Sequence, residues 1–318
     1  MKYKKYIIMP MMLALLSVAT SCEQEELPPA MPEGNVVEVT AAIGDAPHTR
    51  VSQTADNEYT FDDKDKIHIV GWYGDWDKYN KPWEMASDTW WNDAVSTFDK
   101  TSGKWNTEPY MRWQNGKGLY HHFLAWWPEN FKRSNEPLDL VSITLTGDYI
   151  KDDILVARWS GERPEDNVLN LKFEHLLSRF DVHLHFRDEY ETFSNISIET
   201  KLKNMVEYNL IANEVKPGSA SGNYIKMYER PYPDTKWDWS GTCITVPQDF
   251  AGPLLTIKFT TSDGEKSIDY TQPETAILKF RSNERITLYL NVGKNEATLI
   301  ATDVGYPGGW SENETELK

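Results

Sequence analysis

The chain has 318 residues, with 33 Lys and Arg against 49 Asp and Glu, a formal net charge of −16, and only two cysteines. A chain this acidic repels phosphate backbones, which excludes nucleic acid as a partner and disfavours direct contact with anionic membrane surfaces. Two cysteines supply at most one disulfide, so stability has to come from apolar cores.

The first 21 residues read as a signal. Lys2, Lys4 and Lys5 form a basic start, and Ile7 to Ala19 form an apolar run broken only by Pro10 and Ser17. Ala19-Thr20-Ser21 then lead directly to Cys22. The segment is too short and wrongly flanked to span a bilayer. The small-residue approach to Cys22 resembles a bacterial lipobox, which implies cleavage before Cys22 and acylation of its sulfur (palmitate among the acyl groups). The expected location is the cell outer membrane, through a lipid anchor. Removing residues 1–21, with three lysines and no acid, leaves 297 residues and a net charge of −19. Acylated Cys22 cannot pair with Cys243, so no disulfide forms. Residues 22–34 are an acidic and Pro-rich tether. Their Glu23-Gln24-Glu25-Glu26 run resembles surface-export signals of lipoproteins in some anaerobic Gram-negative bacteria, so the anchored chain is expected at the cell surface.

Downstream, short runs with period-two alternation recur between Gly, Asn, Asp and Pro clusters. In 35–43 one face would hold Val37, Val39, Ala41 and Ile43. Residues 66–72 place Ile67, Ile69 and Gly71 on one side. Further strands are expected at 118–126, 141–146, 168–173, 180–186, 193–200, 205–212, 223–228, 242–246, 254–261, 284–292 and 296–304. Many short strands with turn signals predict an all-β antiparallel sandwich architecture. Residues 174–179 are the one short helical candidate. The polar stretch Ser160–Asn167, with its Gly and Pro, is the best domain boundary. The expected division is 1–21 signal, 22–34 tether, 35–163 N-terminal sandwich and 164–318 C-terminal sandwich.

Ten of the thirteen tryptophans lie between Trp72 and Trp159. Trp76, Trp83, Trp90 and Trp91 sit in a stretch rich in Gly, Asn, Asp and Pro that reads as loop, where aromatic rings are hard to bury. Rings stack on sugar faces while neighbouring carboxylates and amides bond hydroxyls, so a lipid-anchored module binding host or bacterial glycans is the alternative function. Ordinary aromatic packing competes with it, and at least one of Trp126 and Trp127 is expected in the core. His183 and His185 alternate on a strand with no third ligand nearby, which reads as an exposed strand face rather than a metal site. His121 and His122 point to opposite faces of their strand. Asp62-Asp63-Lys64-Asp65 lacks the spaced ligands and glycine turn of a calcium loop and reads as a solvated hairpin. No nucleophile elbow, phosphate loop or zinc-protease motif is present. Carboxylates are abundant, but no two stand out as a glycosidase pair. Cys243 lies in a strand pattern as a small core residue. Neither an enzyme nor a cofactor is expected.

The order of features carries a resemblance. The lipoprotein signal is followed by strand 36–43, then His48-Thr49-Arg50, then Phe61-Asp62-Asp63-Lys64-Asp65-Lys66-Ile67. Later come Phe173-Glu174-His175-Leu176-Leu177-Ser178-Arg179-Phe180-Asp181-Val182 and the near-terminal Gly308-Gly309-Trp310. Over residues 22–312 this resembles the fimbrillin-like family of lipoprotein pilus subunits from anaerobic Gram-negative bacteria. The usual glycine before Asp-Lys-Ile is Lys64 here. The resemblance implies two transthyretin-like sandwiches in tandem, a pilus (fimbria) subunit active in cell adhesion, and assembly with other subunits by donor-strand exchange. A protease cut after Arg50 would release the displaceable strand with Val37, Val39, Ala41 and Ile43. The tail 306–318, with its glycines and acids, would make a poor donor strand. That favours an anchor or accessory tip subunit over a stalk subunit.

Overall fold

The computed structural model describes residues 34–44, 61–75, 92–115, 119–131, 140–187, 192–218, 224–230 and 236–305. Among these there is no helix. The strands of the first half are β1 (Glu38–Ile43), β2 (Lys66–Asp75), β3 (Asn92–Asp99), β4 (Lys104–Glu108), β5 (Leu119–Trp127), β6 (Val141–Thr144), β7 (Leu155–Glu162) and β8 (Val168–His175). There follow β9 (Ser178–Phe186), β10 (Ser194–Thr200), β11 (Met205–Asn209), β12 (Glu214–Pro217), β13 (Ile225–Lys226), β14 (Tyr228–Glu229) and β15 (Trp239–Thr245). The chain continues with β16 (Gln248–Phe250), β17 (Gly252–Thr261), β18 (Gly264–Gln272), β19 (Leu278–Phe280), β20 (Arg285–Val292) and β21 (Ala297–Gly305).

A seven-stranded sheet has the order β1-β8-β7-β5-β2-β3-β4. A five-stranded sheet runs β14-β15-β9-β20-β21, a four-stranded one β13-β10-β17-β18, and two smaller sheets complete the set. Pairing is antiparallel except for β1 with β8 and β9 with β20. The seven-stranded sheet is apolar on both faces. Ile67, Ile69, Phe123, Ala125, Leu155 and Ala157 enter one core with Val37, Val39 and Phe173. Val70, Trp72, Leu124, Trp126 and Val156 on the reverse face enter a second core with the later strands. That explains the unbroken run Phe123-Leu124-Ala125-Trp126, since burial on both faces abolishes alternation. Gly71, opposite Phe123, has a physical reason: a Cβ there would stand 2.6 Å from the Phe123 ring.

The helical expectation at 174–179 is overturned. These residues end β8 and begin β9, joined through Leu176-Leu177. Burial of Leu169, Leu171, Phe173 and His175 between exposed Asn170, Lys172 and Glu174 carries the extended pattern through the segment. Leu176 N–H donates to Ile154 C=O at 2.8 Å, and Asn283 N–H donates to Leu177 C=O at 3.0 Å. The stretch expected as a domain boundary, Ser160–Asn167, ends β7 and joins it to β8. The two strands pair with one another, so the seven-stranded sheet continues across it. The described residues from Asn35 to Gly305 fall in one compact unit.

The Asp62–Asp65 segment is a turn into β2 in which Asp65 N–H donates to Asp62 C=O at 3.0 Å. Lys64 there has φ +70°. Left-handed backbone costs a side-chain-bearing residue about 1–2 kcal/mol, against about 0.5–1 kcal/mol of extra chain entropy for glycine. This is the position where the resembled pattern carries glycine. Lys64→Gly is therefore expected to raise stability by about 0.5–1 kcal/mol, seen as a higher urea midpoint at unchanged slope. A lower midpoint would mean that Lys64 makes a compensating contact.

Candidate functional site

The site begins with seven residues, Val37-Glu38-Val39-Thr40-Ala41-Ala42-Ile43. β-branched residues at alternate positions favour an extended strand with one apolar face. Val37, Val39, Ala41 and Ile43 are all buried, as their alternation predicts. Gly44, at φ +63°, ends the strand, and its N–H donates to Phe173 C=O at 2.8 Å. β1 lies at the edge of the seven-stranded sheet, pairing Val39 with Leu169, Ala41 with Leu171 and Ile43 with Phe173. Thr40 Oγ1 donates to Asn170 Oδ1 at 2.5 Å on the exposed side.

Just before β1, the chain also bonds to the segment that follows β4, the strand at the opposite edge of the sheet. Val37 N–H donates to Met111 C=O at 3.0 Å, and Trp113 N–H donates to Asn35 C=O at 2.8 Å. The Trp113 indole N–H donates to Asn167 C=O at 2.9 Å, tying the two sides of the slot. Under β1 lies an aromatic floor. Phe61 meets Trp105 and Phe173 edge-on at 5.0 and 5.4 Å, and Trp113 meets Phe123 edge-on at 5.3 Å. Burying Val37, Val39 and Ile43 is worth roughly 1.5–3 kcal/mol each. An empty slot would expose that floor together with the unpaired backbone of β8.

Other expected site residues fall elsewhere. Cys22, Arg50, Trp76, Trp83, Trp90 and Trp91 lie outside the described residues. Trp72, Trp105, Trp113 and Trp126 are core residues. Cys243 is fully buried, and burial pushes its thiol well above the ordinary range. Among the described residues, no group of three His, Cys, Asp or Glu is placed to hold a metal.

The exposed-face expectation for His183 and His185 fails at His183. His185 is exposed, 3.1 Å from Asp238. His183 is buried between Ser240, 2.6 Å from its Nδ1, and Tyr289, whose ring stacks on it at 5.1 Å. It shares its strand face with Arg179 and Asp181, which pair at 2.9 Å. Burial would raise the Asp181 carboxyl, but Arg179 holds it below its ordinary value. The signal was present in the sequence. Arg179, Asp181 and His183 alternate with Phe180, Val182 and Leu184, which marks a second, polar face that can itself be covered.

Burial pushes His121, His122 and His183 down to about 4 from an ordinary 6.5. A histidine that resists protonation only when folded contributes fully above pH 6.5, and the contribution is lost as pH falls towards 4. Three such groups imply a decline of about 4 kcal/mol per pH unit within that window. Urea midpoints should be level between pH 8 and 7 and fall steeply below 6.5. A midpoint unchanged down to pH 5 would refute neutral burial.

These features define an all-β chain of packed sheets whose first strand fills a slot at a sheet edge. The sequence model of the fimbrillin-like family matches residues 49–305, and the chain belongs to that family. Its fold is similar to a candidate cell adhesion protein of Bacteroides uniformis, with 11% identity and a TM-score of 0.59 over 85% of this chain and 98% of the other. A second candidate cell adhesion protein, from Bacteroides ovatus, aligns with 13% identity and a TM-score of 0.58 over 88% and 99% of the two chains. The fimbrial anchor protein of Porphyromonas gingivalis aligns at 9% identity and a TM-score of 0.40 over 86% and 99%. No curated protein sequence matches the chain.

Proposed function

We propose that this chain is a pilus subunit held to the outer membrane by a lipid on Cys22 and joined to its neighbours by donor-strand exchange. The observation that carries this reading is β1. It is an edge strand, hydrogen-bonded along one side to β8, with Val39, Ala41 and Ile43, and Val37 just before it, buried over an aromatic floor. The family match begins at residue 49, beside Arg50, and leaves β1 outside it. Cleavage after Arg50 would detach β1 together with the lipid, and an extended segment of another subunit would then fill the slot by strand addition. The acidic, glycine-bearing tail at 306–318 is a weak donor, so the subunit acts as an anchor or tip rather than in the stalk. As an anchor it would keep β1 and remain uncut.

Limited trypsin digestion with intact mass and gel filtration tests this. A first cut after Arg50 followed by oligomers supports strand exchange. Resistance at Arg50 limits the chain to the uncut anchor. A cut chain that stays a stable monomer sinks the exchange mechanism, because a vacated slot of this size does not remain empty.

A further inference from the structure

Between β6 and β7 the turn Thr146-Gly147-Asp148 packs against the place where the chain leaves β13 in the four-stranded sheet and enters β14 in the five-stranded one. Asp152, 5% exposed, fixes that turn, its carboxylate accepting from Thr146 N–H at 2.8 Å and from Gly147 N–H at 2.7 Å. Gly147, at φ +89°, sits so close to β13 that a Cβ would collide with the Lys226 carbonyl oxygen. Beside this contact lies an open cleft of about 360 Å³. That lies within the range of about 300–1,000 Å³ usual for small-molecule sites.

Two kinds of group converge on the cleft. The first is aromatic. Buried Ile225 and Met227 alternate with exposed Tyr224, Lys226 and Tyr228, and Lys226 and Tyr228 line the cleft over the buried Trp239. The Tyr228 ring meets the Tyr149 ring edge-on at 5.4 Å, which holds it in place while leaving the residue 49% exposed. Single exposed apolar side chains are ordinary, but Ile150, Tyr224 and Tyr228 all stand on the two segments that form this cleft. The second kind is polar. Asp148 and Glu229 supply acceptors, and the Lys226 ammonium and the Ser197 hydroxyl supply donors. Lys151, 2.7 Å from Asp148, holds that carboxyl below its ordinary value, so it accepts hydrogen bonds at neutral pH. The two carboxylates are matched by Lys226 and Lys151, so the cleft has no strong pull on an ion of either sign. A neutral molecule with one apolar face and a rim of hydroxyls satisfies both sets of groups.

We infer that this cleft binds a neutral saccharide, with the apolar face of a sugar ring on Tyr228 and its hydroxyls bonded to Asp148, Glu229 and Lys226. The site is independent of the β1 slot and would operate in cut and uncut chains alike. Saturation-transfer NMR of residues 23–318 with glucose, galactose, mannose, N-acetylglucosamine, maltose, cellobiose and lactose tests it. Each sugar at about 10 mM fills a site with a millimolar dissociation constant. At least one sugar is expected to receive magnetisation, with a titration that saturates. Tyr228→Ala should weaken its binding about tenfold, whereas Tyr228→Phe, which keeps the ring, should retain it. Lys226→Met, at another exposed position, is a second variant expected to weaken binding. Tyr110→Ala, exposed on a different segment, should leave binding unchanged. No transfer to any of these sugars, or transfer that survives Tyr228→Ala, would overturn the inference.

Discussion

A chain beginning at residue 51, and so lacking β1, is expected to lose about 5–9 kcal/mol of stability from Val37, Val39 and Ile43 alone. That is comparable to the whole net stability of an ordinary domain, about 5–15 kcal/mol. The truncated chain should therefore associate rather than persist as a monomer. Addition of a synthetic peptide spanning residues 35–44 should restore the monomer on gel filtration and raise the urea midpoint. The same peptide carrying Ile43→Asp should do neither, because Ile43 packs opposite Phe173 and a carboxylate there would be buried without a partner. Equal rescue by both peptides would show that backbone pairing alone fills the slot and that the apolar face is dispensable.

Asp181→Ala is the second change with a large expected effect. It leaves the Arg179 guanidinium buried and without its carboxylate partner, which typically costs about 3–5 kcal/mol. Asp249→Ala is the matched control. Its partner Arg281 stands at 2.6 Å, closer than Arg179 to Asp181, but both side chains are about half exposed. Exposed pairs are worth about 0–1 kcal/mol. Burial rather than distance is therefore predicted to set the ranking, and comparable losses in the two variants would refute it.

The strand content of this chain was legible where a sheet has one wet face. β1 and β8 declare themselves through strict alternation, although β8 runs on to His175, two residues past the expected 168–173. β3 and β18 escaped notice because their inward faces are partly polar. Asn92 and Ser96 point inward on β3, and Gln272 on β18. Buried polar pairs such as the Ser96 and Thr107 hydroxyls, 2.8 Å apart, carry no hydrophobic signal. The apolar half of the slot could be read from Val37 to Ile43. Its other half could not, because Met111 and Trp113 reach Val37 and Asn35, just before β1, through backbone bonds that leave no trace in side-chain pattern. His183 was misread because alternation reports that two faces exist, not whether the second one is covered.

The parallel partnership of β1 with β8 also sets an order in time. The two strands are separated by 130 residues, as the Thr40–Asn170 pair shows. During synthesis at about 5–20 residues per second, β1 emerges roughly 6–26 s before the strand that must receive it. Closing so long a loop is among the slower steps a sheet can take. Every newborn copy therefore passes through an interval in which its first strand is adrift and its slot stands open. In that interval the copy depends on whatever keeps other extended chains away.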